Sequence, residues 1–219
     1  IPAAVRDASR TYGPKEAFTL GLPNGTQGGL TFEDTDRLSD QFAVYLREVA
    51  GFAAGDRIAI QMPNCLAYPV VVFGALKAGL VMANTNPLYT TTEMAHQFAD
   101  SGATGLVVID LFANKVAEVL PKTSIRTVVV VRLADLLPPL KRLLISAVQK
   151  YVKKMVPPIT FAHTTLSTAL REGKTRMDGG VDPTVYAASL GPDSIAALQY
   201  TGGTTGLAKG AVLTHGNLV

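Results

Sequence analysis

Cysteine occurs only once in this sequence and charged residues are few, and each scarcity excludes one structural or functional feature. With a single cysteine, Cys65, an intramolecular disulfide is impossible, and the composition suits a reducing compartment. No base partner lies near Cys65 in the sequence, so we expect a packing residue and not a catalytic thiol. Charged residues make up 17% and the net charge is +3, which is too weak to indicate nucleic-acid binding.

We expect no secretory leader, and the sequence contains no long uninterrupted apolar run. No basic segment followed by apolar residues opens the chain, and residues 69–83, the longest apolar stretch, contain Lys77 and are too short to cross a bilayer. We therefore expect a cytoplasmic protein. Because the first residue is Ile1 and not Met, we expect a processed chain or a piece of a longer one.

What the sequence does contain is a regular alternation of β-prone runs and segments with helical periodicity. One helix is predicted to begin at Thr31, with Asp34 as an imperfect capping partner, and another at Thr90, where Glu93 completes a capping box. Further helices are predicted over 66–78 and 112–120, and strands over 57–62, 80–83, 105–109 and 127–131. The alternation predicts an α/β fold with a mostly parallel sheet flanked by helices.

Residues 136–158 interrupt this alternation with an amphipathic helical pattern. The apolar face is formed by Leu140, Leu143, Leu144, Ala147, Val148, Tyr151, Val152 and Met155. Arg142, Gln149, Lys150 and Lys153 fall on the opposite side, and no acidic residue occurs between Asp135 and Glu172. Two interpretations stay open: an ordinary helix packed on the domain, or a basic helix, residues 140–155, that lies on an anionic membrane surface.

A glycine-rich segment at residues 198–210 has the residue types of a phosphate-binding loop. Glycines let a backbone approach an anion closely, threonine hydroxyls donate to phosphate oxygens, and a lysine adds a mobile positive charge. The segment is not a Walker A loop, because Ala208 precedes Lys209 and Gly210 follows it. No Rossmann glycine fingerprint follows the first predicted strand. The alternative is a polar surface loop.

Residues 200–210 resemble the phosphate-binding motif of the adenylate-forming superfamily, Y-T-S-G-T-T-G-x-P-K-G. Gly202 stands where the superfamily usually has Ser, and Ala208 where it usually has Pro. With Gly202 and Ala208 the motif resembles the variant found in bacterial long-chain fatty acid–CoA ligases of the FadD type. The stretches 55–64, 84–90 and 96–103 also resemble these ligases. The T-H-x-N pattern that begins at Thr214 also resembles the superfamily.

The resemblance implies that residues 1–219 are part of the amino-terminal AMP-binding domain of a ligase, with the phosphate-binding region at 190–219. It implies binding of the ATP phosphates by Thr201, Gly202, Gly203, Thr204, Thr205, Gly206 and Lys209, with Lys209 stabilising phosphate charge. The implied substrates are a fatty acid, ATP and CoA, with Mg²⁺, by way of an acyl-adenylate. The later elements of the superfamily are missing, so we expect the chain alone to be inactive and to expose apolar surface, which leaves room for a homodimer.

Several alternatives stay open at this point. The parent enzyme could act on medium-chain or aryl acids, or the chain could be a non-catalytic nucleotide- or membrane-binding module. Peripheral attachment to the inner face of the cytoplasmic membrane is a further hypothesis.

His96, His163 and His215 show no metal-ligand spacing and are expected to be structural or exposed, with a minor functional role open for His215 because it follows the loop. Tyr200 is expected to anchor the strand end. Asn84, Asn86 and Pro87 predict a turn, and a substrate wall is the weaker hypothesis.

Overall fold

The computed structural model describes residues 1–21, 25–149, 155–203 and 206–219, and for residues 202, 203, 206 and 207 it describes the backbone only. In this part of the chain a seven-stranded sheet has the order β7-β6-β5-β3-β4-β8-β9, and a separate two-stranded sheet pairs β1 with β2. The strands are β1 Glu16–Gly21, β2 Gln27–Thr31, β3 Arg57–Gln61, β4 Val81–Asn84, β5 Gly105–Ile109, β6 Thr127–Val131, β7 Thr164–Thr165, β8 Ile195–Gly203 and β9 Gly206–Thr214.

The helices are α1 Pro2–Tyr12, α2 Phe32–Val44, α3 Ala67–Lys77, α4 Thr91–Ser101, α5 Ala113–Val119, α6 Pro139–Ala147 and α7 Leu166–Asp178. A π-helical turn, Tyr45–Val49, extends α2, and short 3₁₀ turns occur at Asp110–Phe112, Leu120–Lys122, Pro183–Ala187 and His215–Asn217. Strands β3 to β8 pair in parallel in the large sheet, and β9 is antiparallel to β8. The predicted α/β class with a mostly parallel sheet flanked by helices is confirmed.

The predicted helix starts are confirmed at the level of individual hydrogen bonds. Thr31 Oγ1 accepts a hydrogen bond from the Asp34 amide at 3.0 Å and caps α2. Thr90 and Glu93 form the reciprocal capping box of α4. These bonds satisfy amide groups that have no partner inside the helix, so they fix where each helix begins.

The hydrophobic core lies on both faces of the large sheet. Strands β5 and β6, which are rich in valine and isoleucine, are almost completely buried, as expected for central strands covered on both sides. One core cluster includes α2, α3 and α7 side chains, and a second includes α4 and α5 side chains. Cys65 is a buried free thiol at the edge of the first cluster, and burial raises its pKa, which agrees with the packing role.

The described part of the amphipathic segment packs on the domain through one side of α6. In α6, Ile145 is buried in the core, whereas Leu140, Leu143 and Leu144 are 80%, 69% and 64% exposed. These three leucines of the predicted apolar face therefore do not pack on the domain, and both interpretations of the segment stay open. Lys150 and Lys153 lie outside the described residues. No helix in the described ranges combines the length and apolarity needed to cross a bilayer.

Candidate phosphate-binding site

The glycine-rich segment forms the tip of the β8–β9 hairpin. Tyr200 pairs with Gly210, Thr201 pairs with Lys209, and Gly203 pairs with Gly206. The pairing is irregular between Thr201 and Gly203, where the backbone leaves the regular ladder. Thr204 and Thr205, which the sequence places at the tip, lie outside the described residues. We use the term phosphate loop for residues 200–210.

Strand alternation gives this hairpin two different faces. Thr201 and Lys209 are direct cross-strand partners, so their side chains share a face, and both residues are exposed. Tyr200 and Gly210 occupy the opposite face, and Tyr200 is only 7% exposed. A Cβ atom at Gly210 would lie 3.0 Å from Cζ of Tyr200, so glycine lets β9 pass closely over this ring. The hairpin thus presents a hydroxyl and an ammonium together, away from its packed face.

The packed face of the hairpin is held by two side chains of α4. The Tyr200 hydroxyl donates to Asp100 Oδ2 at 2.6 Å, and His96 Nε2 lies 3.3 Å from the carbonyl oxygen of Ala208. Burial, followed by the hydrogen bond and the negative charge of Asp100, raises the pKa of Tyr200, so the phenol keeps its proton. These contacts support the predicted anchoring role of Tyr200.

A polar cavity of about 580 Å³ lies at the carboxyl ends of β3, β4 and β8, beside Tyr200. The Tyr68 hydroxyl donates to Asn84 Oδ1 and the Asn84 amide donates to Gln199 Oε1, both at 3.3 Å. Ligands of open parallel sheets bind at such carboxyl ends. The predicted turn is wrong at Asn84, which is the last residue of β4, and the turn is found at Asn86, whose carbonyl accepts a hydrogen bond from the Tyr89 amide at 3.1 Å. Asn84 lines the cavity, which supports the weaker hypothesis of a substrate wall.

Two buried glutamines hold the chain that follows β4 along this cavity. Gln97 Nε2 donates to the Asn84 carbonyl at 2.9 Å, and Gln61 Nε2 donates to the Asn86 carbonyl at 3.4 Å. The Oε1 atom of each glutamine is buried without a hydrogen-bond partner among the described residues. The two donated hydrogen bonds fix the backbone from Asn84 to Asn86 along the wall of the cavity.

The other histidines lie away from the hairpin contacts. His163 is exposed and its Nδ1 lies 3.0 Å from the Phe161 carbonyl oxygen. His215 is buried in the 3₁₀ turn after β9, and burial lowers its pKa. Sequence reasoning favoured His215 because it follows the loop, but among the three histidines His96 is the one that contacts the loop. The stretch 96–103 resembles the long-chain ligases and contains both His96 and Asp100, but nothing in the sequence indicates that they contact the loop.

The described residues do not form a carboxylate site for the Mg²⁺ that the resemblance implies. No group of three or more histidine, cysteine or acidic residues in the described ranges could hold a metal ion. Asp100, which contacts the loop, already accepts the hydrogen bond of Tyr200. Neutral Thr201 and cationic Lys209 suit the oxygens of a phosphate rather than a divalent cation.

Comparison with known proteins gives one family over nearly the whole chain. The family model for the AMP-binding enzyme matches residues 5–219. The chain is 41% identical over 190 residues to a long-chain-fatty-acid–CoA ligase of Escherichia coli O157:H7, which covers 87% of this chain and 33% of the relative. A ligase of the same name from Salmonella typhimurium is 43% identical over 191 residues, with the same shares covered. The chain thus spans about a third of the length of these relatives.

More distant relatives extend the similarity. A 4-coumarate–CoA ligase-like protein of rice is 31% identical over all 219 residues, which cover 33% of its length. Among solved structures, a long-chain-fatty-acid–CoA ligase from Archaeoglobus fulgidus aligns with a TM-score of 0.71 at 22% identity, over 98% of this chain and 36% of that one. The A-PCP didomain of a carboxylic acid reductase from Segniliparus rugosus, solved in complex with AMP, aligns with a TM-score of 0.75 at 16% identity, over 99% of this chain and 32% of that one. The two structural alignments show that the fold is shared.

Proposed function

The chain belongs to the AMP-binding enzyme family, and on this premise we propose that it is part of a ligase that activates long-chain fatty acids with ATP and CoA. The observation that carries the proposal is the exposed pair Thr201 and Lys209 on one face of a glycine-rich hairpin. The identity of 41% to 43% with long-chain ligases supports the substrate class. We propose that residues 1–219 form part of the amino-terminal domain, with the phosphate-binding region at 190–219.

The proposed chemistry has two steps. A carboxylate oxygen of the fatty acid attacks the α-phosphorus of ATP, the bond to the bridging oxygen breaks, and pyrophosphate leaves. The thiol of CoA, losing its proton, then attacks the acyl carbonyl, and AMP leaves with the electrons of the broken carbon–oxygen bond. In the first step negative charge grows on the departing pyrophosphate, so the loop's task is to stabilise that charge.

We propose that the phosphate loop supplies this stabilisation through its backbone and two side chains. Backbone N–H groups of Gly202, Gly203 and Gly206, with Thr204 and Thr205 at the tip, would donate to the β- and γ-phosphate oxygens. Thr201 would add a hydroxyl donor and Lys209 a positive charge from the same face of the hairpin. Mg²⁺, bound to the phosphates, would supply further charge neutralisation, and we expect its protein ligands outside the described residues.

The chain by itself is expected not to complete the reaction. It spans about a third of the length of its curated relatives, so most of an enzyme of their size would lie outside it. Catalytic tests therefore belong in the full-length protein, whereas phosphate binding can be sought in the chain itself.

An aryl acid is the second candidate substrate, because the rice 4-coumarate–CoA ligase-like relative aligns over the whole chain. A competition experiment separates the two. The full-length protein receives ATP, CoA and equal amounts of a long-chain fatty acid, a medium-chain acid and 4-coumarate, and the thioesters are separated by mass. We expect the long-chain acyl-CoA to dominate. Dominance of either other thioester would overturn the substrate class and keep the family, whereas no thioester at all would contradict the ligase activity.

We also propose that α6 attaches the protein peripherally to an anionic lipid surface. Its exposed residues Leu140, Leu143 and Leu144 lie on the same helix as exposed Lys141 and Arg142. Residues 136–158 contain five lysine or arginine residues and no acidic residue, so the charge is complementary to anionic headgroups. An anionic lipid surface accounts for both features, because the leucines can enter its apolar part while Lys141 and Arg142 face its headgroups.

Vesicle co-sedimentation tests this attachment. Two variants remove one contribution each: Leu140→Ser with Leu143→Ser, and Lys141→Glu with Arg142→Glu. Lys122→Glu with Lys174→Glu changes exposed lysines elsewhere and serves as the matched control. We expect both α6 variants to lose binding to phosphatidylglycerol vesicles and the control to keep most of it. Equal binding by the α6 variants and the unchanged protein would contradict the proposal.

A further inference from the structure

Helix α4 contacts both strands of the hairpin that carries the phosphate loop. On the β8 side, Asp100 accepts the hydrogen bond of the Tyr200 hydroxyl at 2.6 Å. On the β9 side, His96 Nε2 lies 3.3 Å from the Ala208 carbonyl oxygen. His96 and Asp100 are four residues apart in α4, so their side chains project from one face of the helix. One helical face therefore holds the chain before and after the glycine-rich tip.

The two anchored residues are the immediate neighbours of the two exposed ones. Tyr200 precedes Thr201 in β8, and Ala208 precedes Lys209 in β9. Since neighbouring side chains of a strand point to opposite faces, an anchor on one face fixes the direction of the next side chain on the other. Glycine-rich backbone has many accessible conformations, and a loop that must be ordered on binding loses affinity for its ligand.

We propose that His96 and Asp100 are positioning residues, which hold the two strands so that Thr201 and Lys209 face the phosphates before ATP arrives. The proposal rests on the proposed ligase function. Neither residue is proposed to touch ATP, so their effect is on the population of the binding-competent loop. A fall in that population weakens apparent affinity by the same factor.

The chemistry of each contact selects the variants. Tyr200 donates to a carboxylate, a charge-assisted bond, and Asp100→Asn keeps an oxygen acceptor at this point whereas Asp100→Ala does not. The Ala208 carbonyl can only accept, so the imidazole must donate from Nε2, and His96→Gln retains a donor that His96→Leu lacks. Tyr200→Phe keeps the ring and removes the hydroxyl.

A second tyrosine of the same chain provides a matched control. The Tyr186 hydroxyl donates to Glu48 Oε1, also at 2.6 Å, and Tyr186 is 9% exposed compared with 7% for Tyr200. Tyr186 lies in the 3₁₀ turn Pro183–Ala187, outside the hairpin. Tyr186→Phe therefore loses an equivalent bond without touching the phosphate loop.

Two readouts on the full-length protein test the proposal. Without ATP, hydrogen exchange of the amides of residues 201–210 is expected to be about threefold faster in Asp100→Ala, Tyr200→Phe and His96→Leu. In pyrophosphate exchange, the same variants are expected to raise the KM for ATP about threefold and to leave kcat and the KM for the acid within about twofold. Loss of one hydrogen bond shifts loop opening about tenfold, and the two effects share that factor because exchange follows the open fraction and the KM follows the inverse of the closed fraction. Asp100→Asn, His96→Gln and Tyr186→Phe are expected to stay close to the unchanged protein in both.

Unchanged amide exchange in Asp100→Ala and Tyr200→Phe would overturn the positioning role, and so would an equal effect of Tyr186→Phe. A purely structural role would lower stability and kcat without a selective change in the KM for ATP. Because amide exchange is measured without ATP or acid, failure of the anchoring is separate from failure of the proposed function. The latter would appear as an absence of pyrophosphate exchange in the unchanged protein.

Discussion

At the scale of single residues, the proposed function depends on one exposed cation opposite one exposed hydroxyl. Lys209 and Thr201 are cross-strand partners on the free face of the β8–β9 hairpin. A lysine on a flexible stem can follow charge that moves onto a leaving phosphate, and a threonine hydroxyl adds a neutral donor beside it. Of the two, the lysine is the more consequential, because it alone carries charge.

Replacing Lys209 by alanine is therefore expected to slow adenylation in the full-length protein by about a hundredfold, the loss typical of one preorganised stabilising group. The measurement is acid-dependent pyrophosphate exchange at saturating ATP. Lys122→Ala, which removes an exposed lysine in the turn Leu120–Lys122, is the control and should retain the full rate. An unchanged rate in Lys209→Ala would remove this residue from the site.

Asp110, which follows β5, predicts a pH dependence of stability. Burial raises its pKa to about 6, Arg132 opposes the shift, and Asp135 adds to it. Its Oδ1 atom has no hydrogen-bond partner in the part of the chain that the structure describes. Since the folded pKa lies above the unfolded value of about 4, the contribution of the protonated group is complete below about pH 4 and is lost as the pH rises through about 6.

We expect Asp110→Asn to raise the free energy of unfolding at about pH 7.5 by about 1 to 3 kcal/mol, because the amide carries no charge to desolvate. At about pH 4 the same change should have little effect. Urea unfolding at both pH values measures the difference, and Asp178→Asn, an exposed aspartate, is the control. Equal effects of Asp110→Asn at the two pH values would contradict the assigned titration.

At the scale of secondary-structure elements, the helices and strands that could be predicted are those specified by their own residues and near neighbours in the sequence. The valine run of β6 and the threonine caps of α2 and α4 depend on neighbouring residues, so a local pattern is sufficient. Helices α3 and α5 were placed within a few residues. These elements form the centre of the sheet and most of its flanking layers.

Elements held by distant contacts were not predicted from the sequence. Strand β2 contains adjacent glycines and lacks alternation, and a Cβ atom at Gly28 would lie 2.3 Å from Leu137 Cδ2, so the close approach here involves a side chain more than a hundred residues away. The contacts of His96 with Ala208 and of Asp100 with Tyr200 likewise span 112 and 100 residues. Local periodicity contains no information about such pairs.

The packing of α2 against α3 depends on a buried lysine, which gives a prediction at this scale. Lys77 is completely buried at the end of α3 and pairs with Asp36 and, at 2.8 Å, with Asp40. Lys77→Met leaves these carboxylates without their buried partner. We expect a loss of about 3 to 5 kcal/mol in the free energy of unfolding, measured by urea denaturation.

Arg37→Met is the control, because it breaks the exposed ion pair of Arg37 with Asp34, for which at most about 1 kcal/mol is expected. If Lys77→Met were as stable as the unchanged protein, the α2–α3 interface would owe its stability to its apolar contacts alone.

At the scale of the whole molecule, the parallel sheet explains why the candidate groups meet in one place. Strands β3, β4 and β8 end at the same edge, so Asn84, Gln199 and the phosphate loop lie around one cavity although they are far apart in sequence. Helix α4 begins soon after β4 and supplies the contacts to the loop. Topology thus joins a polar cavity to the hairpin for which we propose phosphate binding.

The measurement that tests the central claim most directly is acid-dependent ATP–pyrophosphate exchange by the full-length protein across acids of increasing chain length. The account predicts exchange that requires an acid and is fastest with long-chain fatty acids. Exchange only with short or aromatic acids would contradict the proposed substrate class. No exchange with any acid, from a folded protein, would contradict the claim that the glycine-rich hairpin serves adenylation.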